Sequence, residues 1–272
     1  HPRVRRQRQM CIRDSYYTLR YKAAYDHLIV ECTISNRGDD VFRPEYSRLF
    51  IGVDSEMKTY PDWDTKFFPT LLRCEKDFAW GYFMSPRQII MGIGVEEPVA
   101  SYTLNYVYEG SMEWKWGHQI KTGSLDLLHC LPLPERHPQN NISLKPHETR
   151  KWTLHLGVVD RLAGVKEKLS QWIQAPMIEC EKYTMAGHET SRLLIHSQSG
   201  LEKLIVKAPD GTQSVLPVDG VADNVYSALF SPSSQKGLYR ITATAINGKT
   251  AEASIYIRNP WSWYMKLSLI HI

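Results

Sequence analysis

The chain of 272 residues lacks the motifs that announce most enzyme chemistries. There is no G-x-S-x-G nucleophile turn, no glycine-rich phosphate loop, no dinucleotide fingerprint and no H-E-x-x-H helix, which sets aside serine hydrolase and nucleotide chemistry. No apolar run is long enough to span a bilayer, so no membrane span is expected. Cysteine is scarce: Cys11, Cys32, Cys74, Cys130 and Cys180 are the full set, and none stands in a C-x-x-C or other close metal spacing. Cys32 alternates with Leu28, Val30 and Ile34, which predicts an inward-facing thiol behaving as a small hydrophobe. Buried free thiols are the expectation, with a disulfide left open because spacing cannot supply a pairing. No cofactor or metal is called for, and a structural calcium is left open.

Charge of one sign is also missing once the ends are set apart. Met10 to Ser15 can be encoded by a nucleotide stretch whose reverse complement encodes Leu267 to Ile272. Two strands of one short element at opposite ends resemble a transposase mosaic-end adapter read through in frame. Residues 1–15 and 267–272 are therefore excluded from fold reasoning. Residues 1–14 hold five arginines and Asp14, so 33 basic and 29 acidic residues become 28 of each. The formal +4 then implies no nucleic-acid partner.

What is present is alternation. Leu28, Val30, Cys32 and Ile34 on one face, with Ile29, Glu31, Thr33 and Ser35 on the other, read as a half-buried strand, and Asn36 to Asp40 as a turn. Further strands are predicted at 48–53, 66–73, 78–84, 88–94, 101–108, 124–129 and 150–158. Many short strands without intervening helices argue for antiparallel sheets stacked as a sandwich, an all-β fold. One helix is predicted at 160–174 from Leu162, Val165, Leu169, Trp172 and Ile173, capped by Asp160 and followed by Pro176. Smaller strands follow at 191–196, 201–206, 224–230, 238–245 and 251–258. Asn247-Gly248 predicts a type I′ hairpin turn, and Ala208 to Thr212 another tight turn. The domains expected are a large sandwich at 16–176, a small immunoglobulin-like sandwich at 177–258, and the start of a helical domain at 259–266.

The most suggestive chemistry lies in two aromatic and acidic clusters, with Asp62, Trp63, Asp64 and Lys66 in one and Trp114, Trp116 and His118 in the other. Flat aromatic faces cover the C–H groups of sugars while carboxylates hold hydroxyls, so these seven residues are the carbohydrate-contact candidates. The competing reading is core filling or a solvated loop, and the same choice applies to Trp80, Tyr82 and Phe83. Asp62 and Asp64, about 7 Å apart at Cα in an extended strand, lie on one face and do not face one another across a cleft as a glycosidase pair does. Glu96-Glu97 and Glu109 with Glu113 are read with the same reserve. The histidines are scattered and form no ligand spacing. No catalytic residue is assigned.

Four stretches together resemble a known family: Leu125 to Pro138, Leu144 to Leu154, Gly237 to Tyr239, and Arg258 to Lys266. They are similar to the N-terminal half of large Bacteroidetes-type carbohydrate-active proteins of the six-hairpin glycosidase kind. There, a mutarotase-like β-sandwich and an immunoglobulin-like spacer precede an (α/α)6 toroid. The resemblance implies a non-catalytic portion of a polysaccharide-degrading enzyme, glycoside hydrolase or polysaccharide lyase. Its catalytic toroid would begin near Pro260, and its setting would be periplasmic or extracellular. The partners implied are a polysaccharide or oligosaccharide and the toroid itself. Two other readings stay open: a carbohydrate-binding module or sugar-active enzyme in its own right, and a structural or adhesion protein of β repeats.

Overall fold

The computed structural model describes residues 15–45, 47–52, 68–85, 87–108, 118–128, 141–233 and 235–270. It is all-β, as the alternation predicts, and the chain divides into two compact units at Ile173 and Gln174.

The first unit contains β1 (Ser15–Ala23), β2 (His27–Asn36), β3 (Ser47–Gly52), β4 (Phe68–Cys74), β5 (Ala79–Met84), β6 (Ile90–Val95), β7 (Ser101–Tyr108), β8 (His118–Leu128) and β9 (Thr149–Val159). Six strands form an antiparallel sheet in the order β1-β2-β9-β6-β5-β4, and three form a second sheet, β3-β8-β7. The core lies between them because each sheet turns one parity of side chains inward. Val30, Cys32 and Ile34 of β2, Ile93 and Val95 of β6, and Trp152 and Leu154 of β9 meet Ile51 of β3 and Leu125 and Leu127 of β8. Leu28, expected on the same inward row, is 38% exposed where β2 begins. Asn36 ends β2 as a buried anchor: its amide donates to the carbonyls of Asp40 (2.8 Å) and Lys145 (2.9 Å) and accepts from the Gly38 N–H (3.0 Å). The turn chemistry expected at 36–40 therefore extends to a segment more than a hundred residues away.

The other face of the six-stranded sheet carries a helix. A 3-10 turn at Leu162–Gly164 leads into α1 (Val165–Ile173). Asp160 does not cap it. The residue at the cap position is Arg161, in extended backbone and without a side-chain hydrogen bond, because the single 3-10 turn moves the helix start past Asp160. Leu169, Trp172 and Ile173 rest on Gly92 and Gly94 of β6 and Gly157 of β9, whose missing side chains leave the room. Gln174, in the left-handed region at φ 51°, ends the helix, and Pro176 follows.

The second unit has β10 (Met177–Cys180), β11 (Thr184–Ala186), β12 (Ser191–His196), β13 (Leu201–Lys207), β14 (Gln213–Val215), β15 (Gly220–Ala222), β16 (Val225–Phe230), β17 (Gly237–Ala245) and β18 (Thr250–Arg258). They form two sheets, β10-β12-β16-β15 and β11-β18-β17-β13-β14, with β11 and β18 parallel. Leu193, Ile195, Phe230, Leu204, Tyr239, Ile241 and Ile255 fill the space between them. The β17–β18 hairpin is present, but its turn is not the expected type I′. Only Gly248 has positive φ (86°), its N–H donates to the Ala245 carbonyl at 2.9 Å, and the Ala245 N–H donates to Lys249. This is a three-residue loop ending on a left-handed glycine, which spares Asn247 the left-handed region. Ala208 to Thr212 closes in the same way, with Gly211 at φ 90°. The chain then forms α2 (Trp261–Ile270), which runs across the boundary expected at Lys266.

Among the described residues Cys32 is a buried free thiol, while Cys11 and Cys130 lie outside them. Burial pushes the Cys32 thiol up to about 11, so almost no reactive thiolate exists at neutral pH. A thiol reagent should label Cys32 only after unfolding, and mass spectrometry of the labelled peptide checks this. Labelling of the native protein at the rate of a free thiol would contradict the burial.

Candidate functional site

Six of the carbohydrate-contact candidates, Asp62, Trp63, Asp64, Lys66, Trp114 and Trp116, lie outside the described residues. His118 opens β8, and nothing further is described of its side chain. The strands that bracket these residues do carry information. Gly52, the last residue of β3, pairs with Thr122, and Tyr108, the last of β7, pairs with His118. The chain therefore enters 53–67 and spans 109–117 from one end of the three-stranded sheet, the end at which His118 stands. In the other aromatic group Trp80 is 7% exposed and Phe83 fully buried, so there core filling wins over a sugar platform.

The densest chemistry among the described residues stands elsewhere, on the helix-bearing face of the large sheet. β2 and β9 pair so that His27 faces Gly157, which makes His155 its diagonal neighbour on the same face. His27 Nε2 lies 2.9 Å from His155 Nδ1. At the outer ends His27 Nδ1 lies 2.7 Å from Asp26 Oδ1, and His155 Nε2 lies 2.7 Å from Glu96 Oε1. Helix α1 closes over the group: Trp172 stacks on the His27 ring at 4.8 Å between centroids, and Lys168 pairs with the other oxygen of Asp26. The His155 imidazole is buried and that of His27 largely covered, with 6% and 11% of their side chains exposed, while Asp26 and Glu96 reach solvent. Hydrogen bonds from His27 and then Lys168 hold the Asp26 carboxyl well below the usual carboxylate range.

This row can hold and share protons, but it cannot attack a substrate, since every ring nitrogen already faces a partner. The neighbouring Glu97 is occupied separately, accepting from the Thr153 N–H (2.6 Å) and hydroxyl (3.2 Å). Glu96 and Glu97, adjacent in sequence, thus bind separate partners. Sequence reasoning missed the cluster because its imidazoles stand 128 residues apart and meet only through strand register.

Two further polar features stand elsewhere. Buried Glu75 pairs with Arg73 and accepts from the Trp80 indole N–H at 3.3 Å. In the second unit a cleft of about 420 Å³ is lined by Val206, Asp210, Thr212, Gln235 and Tyr239, among others. Several of its polar groups are engaged with one another. Asp210 accepts from the Thr212 N–H (2.9 Å) and the Gln235 amide (2.7 Å), which hold its carboxyl below the ordinary range, and Tyr239 is bonded to Ser233 at 2.6 Å. Among the described residues no group of three or more His, Cys, Asp or Glu side chains is placed to hold a metal ion. No helix among them is long and apolar enough to cross a membrane.

No family model and no curated protein matches the sequence. Solved structures do. A polysaccharide lyase superposes with a TM-score of 0.65 at 16% identity, over 93% of this chain and 35% of its own. A domain of a biofilm-associated protein aligns over 91% of this chain and 52% of its own, with a TM-score of 0.21 at 9% identity. The chain thus spans about a third of the lyase it matches, and at this identity the likeness is one of fold: the two-unit, all-β architecture is shared with part of a carbohydrate-active protein.

Proposed function

We propose that the chain is the non-catalytic β portion of a larger polysaccharide-degrading enzyme, a glycoside hydrolase or polysaccharide lyase working in the periplasm or outside the cell. Its two units support a helical toroid that begins at α2. Asp62, Trp63, Asp64, Lys66, Trp114 and Trp116, together with His118, form one wall of the substrate cleft. The observation that carries this reading is the state of α2. Trp261, Trp263 and Met265 are 69%, 45% and 57% exposed, large apolar side chains that call for a covering partner. A large sandwich, a small sandwich and an aromatic helix in that order are what a supporting module leading into a helical domain needs. The lyase that shares the fold is nearly three times the length of the matched part, leaving room for such a domain.

The test compares residues 15–270 with the gene product extended beyond α2, on a panel of neutral and acidic polysaccharides. Reducing ends report hydrolysis and the ultraviolet absorbance of unsaturated uronates reports elimination. The extended protein should turn over one member of the panel and the short one none. Trp114→Ala and Trp116→Ala in the extended protein should raise KM by about tenfold with kcat unchanged, as expected when ground-state and transition-state contacts are lost equally. Turnover by the short chain would overturn the reading and move catalysis onto Asp62, Asp64 and their neighbours.

A further inference from the structure

The row Asp26–His27–His155–Glu96 does not close with the protons its members ordinarily carry. Three hydrogen bonds need three bridging protons: Asp26 to His27, His27 to His155, and His155 to Glu96. Two neutral imidazoles supply one each, and two ionised carboxylates supply none. The directions are fixed from the Asp26 end. That carboxylate is ionised and paired with Lys168, so His27 Nδ1 carries a proton and donates to it. If both imidazoles were neutral, His27 Nε2 would have to accept from His155 Nδ1–H. His155 Nε2 would then turn a bare lone pair toward the Glu96 carboxylate at 2.7 Å. In the alternative tautomer of His155 the bare lone pairs face one another at 2.9 Å, between the two rings. One more proton removes the conflict wherever it resides, on His27, on His155 or on Glu96.

We propose that this row is a proton-dependent clasp: it closes with one proton more than the same four groups carry apart, and it holds α1 and the β1–β2 turn against the sheet while that proton is bound. Charged groups among the described residues stand beside it. Lys168 from α1 neutralises Asp26, and Lys151 of β9 lies in electrostatic reach of Glu96 and Glu97. Glu97 is held by Thr153, and Trp172 covers the His27 ring. With Lys168 counted, these groups carry two negative and two positive charges in the closed row, the extra proton balancing Glu96 as Lys168 balances Asp26.

The linkage has a definite sign. Above the ordinary imidazole range, about pH 6.5, the opened clasp has neutral imidazoles and the closed one holds a proton more. Closing therefore weakens as pH rises, tenfold for each pH unit until the clasp itself discharges. Below that range the opened form takes up two imidazole protons to the closed form's one, and the slope reverses. Protection is greatest between.

Glu96→Gln separates this from ordinary packing. A glutamine amide donates to His155 Nε2, so the row closes with two neutral imidazoles and no added proton. Amide exchange of α1, corrected for intrinsic rates, should lose protection tenfold per pH unit on the alkaline side in the wild type and be flat there in E96Q. Nitrogen-15 spectra of the imidazoles should show three protonated ring nitrogens, or two with a protonated carboxyl, in the wild type at the pH of greatest protection. In E96Q, His155 should carry its proton on Nδ1. Equal slopes in the two proteins would overturn the proposal. So would a wild-type spectrum, at that pH, with two neutral imidazoles and an ionised Glu96, a result that stands even if E96Q does not fold.

Discussion

Trp152→Ala should destabilise the first unit by about 3–5 kcal/mol, enough to unfold a domain of ordinary stability. Trp152 stands mid-strand in β9 with 1% of its surface exposed, opposite Cys32 of β2 and within the cluster that joins the two sheets. Its removal leaves a cavity that neighbours on paired strands cannot collapse into. The indole N–H also donates to the Pro98 carbonyl at 3.0 Å, and losing that bond adds up to about 1 kcal/mol, although the carbonyl keeps the Asn141 amide at 2.8 Å. Trp152→Phe keeps most of the volume and loses the donor, so it should cost roughly half as much. Urea unfolding of both variants followed by far-ultraviolet circular dichroism checks the order. A phenylalanine variant as damaged as the alanine would mean that the hydrogen bond, and not the volume, dominates.

Trp152 was readable from sequence because a strand with one buried face repeats every second residue. The same rule found β2, β5, β7, β9, β17 and β18 to within a residue or two. It failed where its premise fails. β1 was not predicted: Tyr17, Leu19 and Tyr21 lie opposite the buried Ile34, Cys32 and Val30, but Tyr16 on the other face masks the alternation, and all four are 45–65% exposed at the sheet edge. β11, β14 and β15 have three residues each, too few for any period to show. The start of α1 was misplaced by a few residues and the turn at Asn247-Gly248 given the wrong type, for a related reason. A 3-10 turn and a left-handed glycine each offer the backbone a second way to close, and residue preferences do not separate the two. The clasp was out of reach altogether, since it depends on which residues of β2 and β9 face each other and on a helix lying over them. Of the carbohydrate-contact candidates, sequence supplied the residue types, and the strand ends at Gly52, Tyr108 and His118 add a common point of departure.

Register also explains why α1 can reach the buried imidazoles, and three alanine substitutions should rank by how firmly their neighbours are held. At Gly157 a Cβ would come within 2.6 Å of the Trp172 ring and 2.7 Å of His27 Cβ, an atom fixed to the paired backbone of β2. Neither side can yield without lifting the helix or parting the strands. Gly157→Ala should cost about 3 kcal/mol, at the upper end for an inserted methyl group. At Gly94 the clash is with Ile173 Cγ2 at 2.5 Å, on the last residue of α1, where the helix end can tip, and about 1–2 kcal/mol is expected. At Gly92 the nearest atom is Val159 Cγ2 at 3.0 Å, a few tenths of an ångström too close. The gain of about 0.4–1 kcal/mol from replacing glycine in the unfolded chain should nearly offset it. Thermal and urea unfolding of the three variants tests the ranking. Gly157→Ala carries a second consequence, because displacing His27 or Trp172 opens the clasp at its centre. Its α1 amides should lose the pH dependence of the wild type as well as their protection, whereas Gly94→Ala should lose protection and keep the slope. If both variants kept the slope, helix docking and proton binding would be independent of each other, and the clasp would hold nothing but itself.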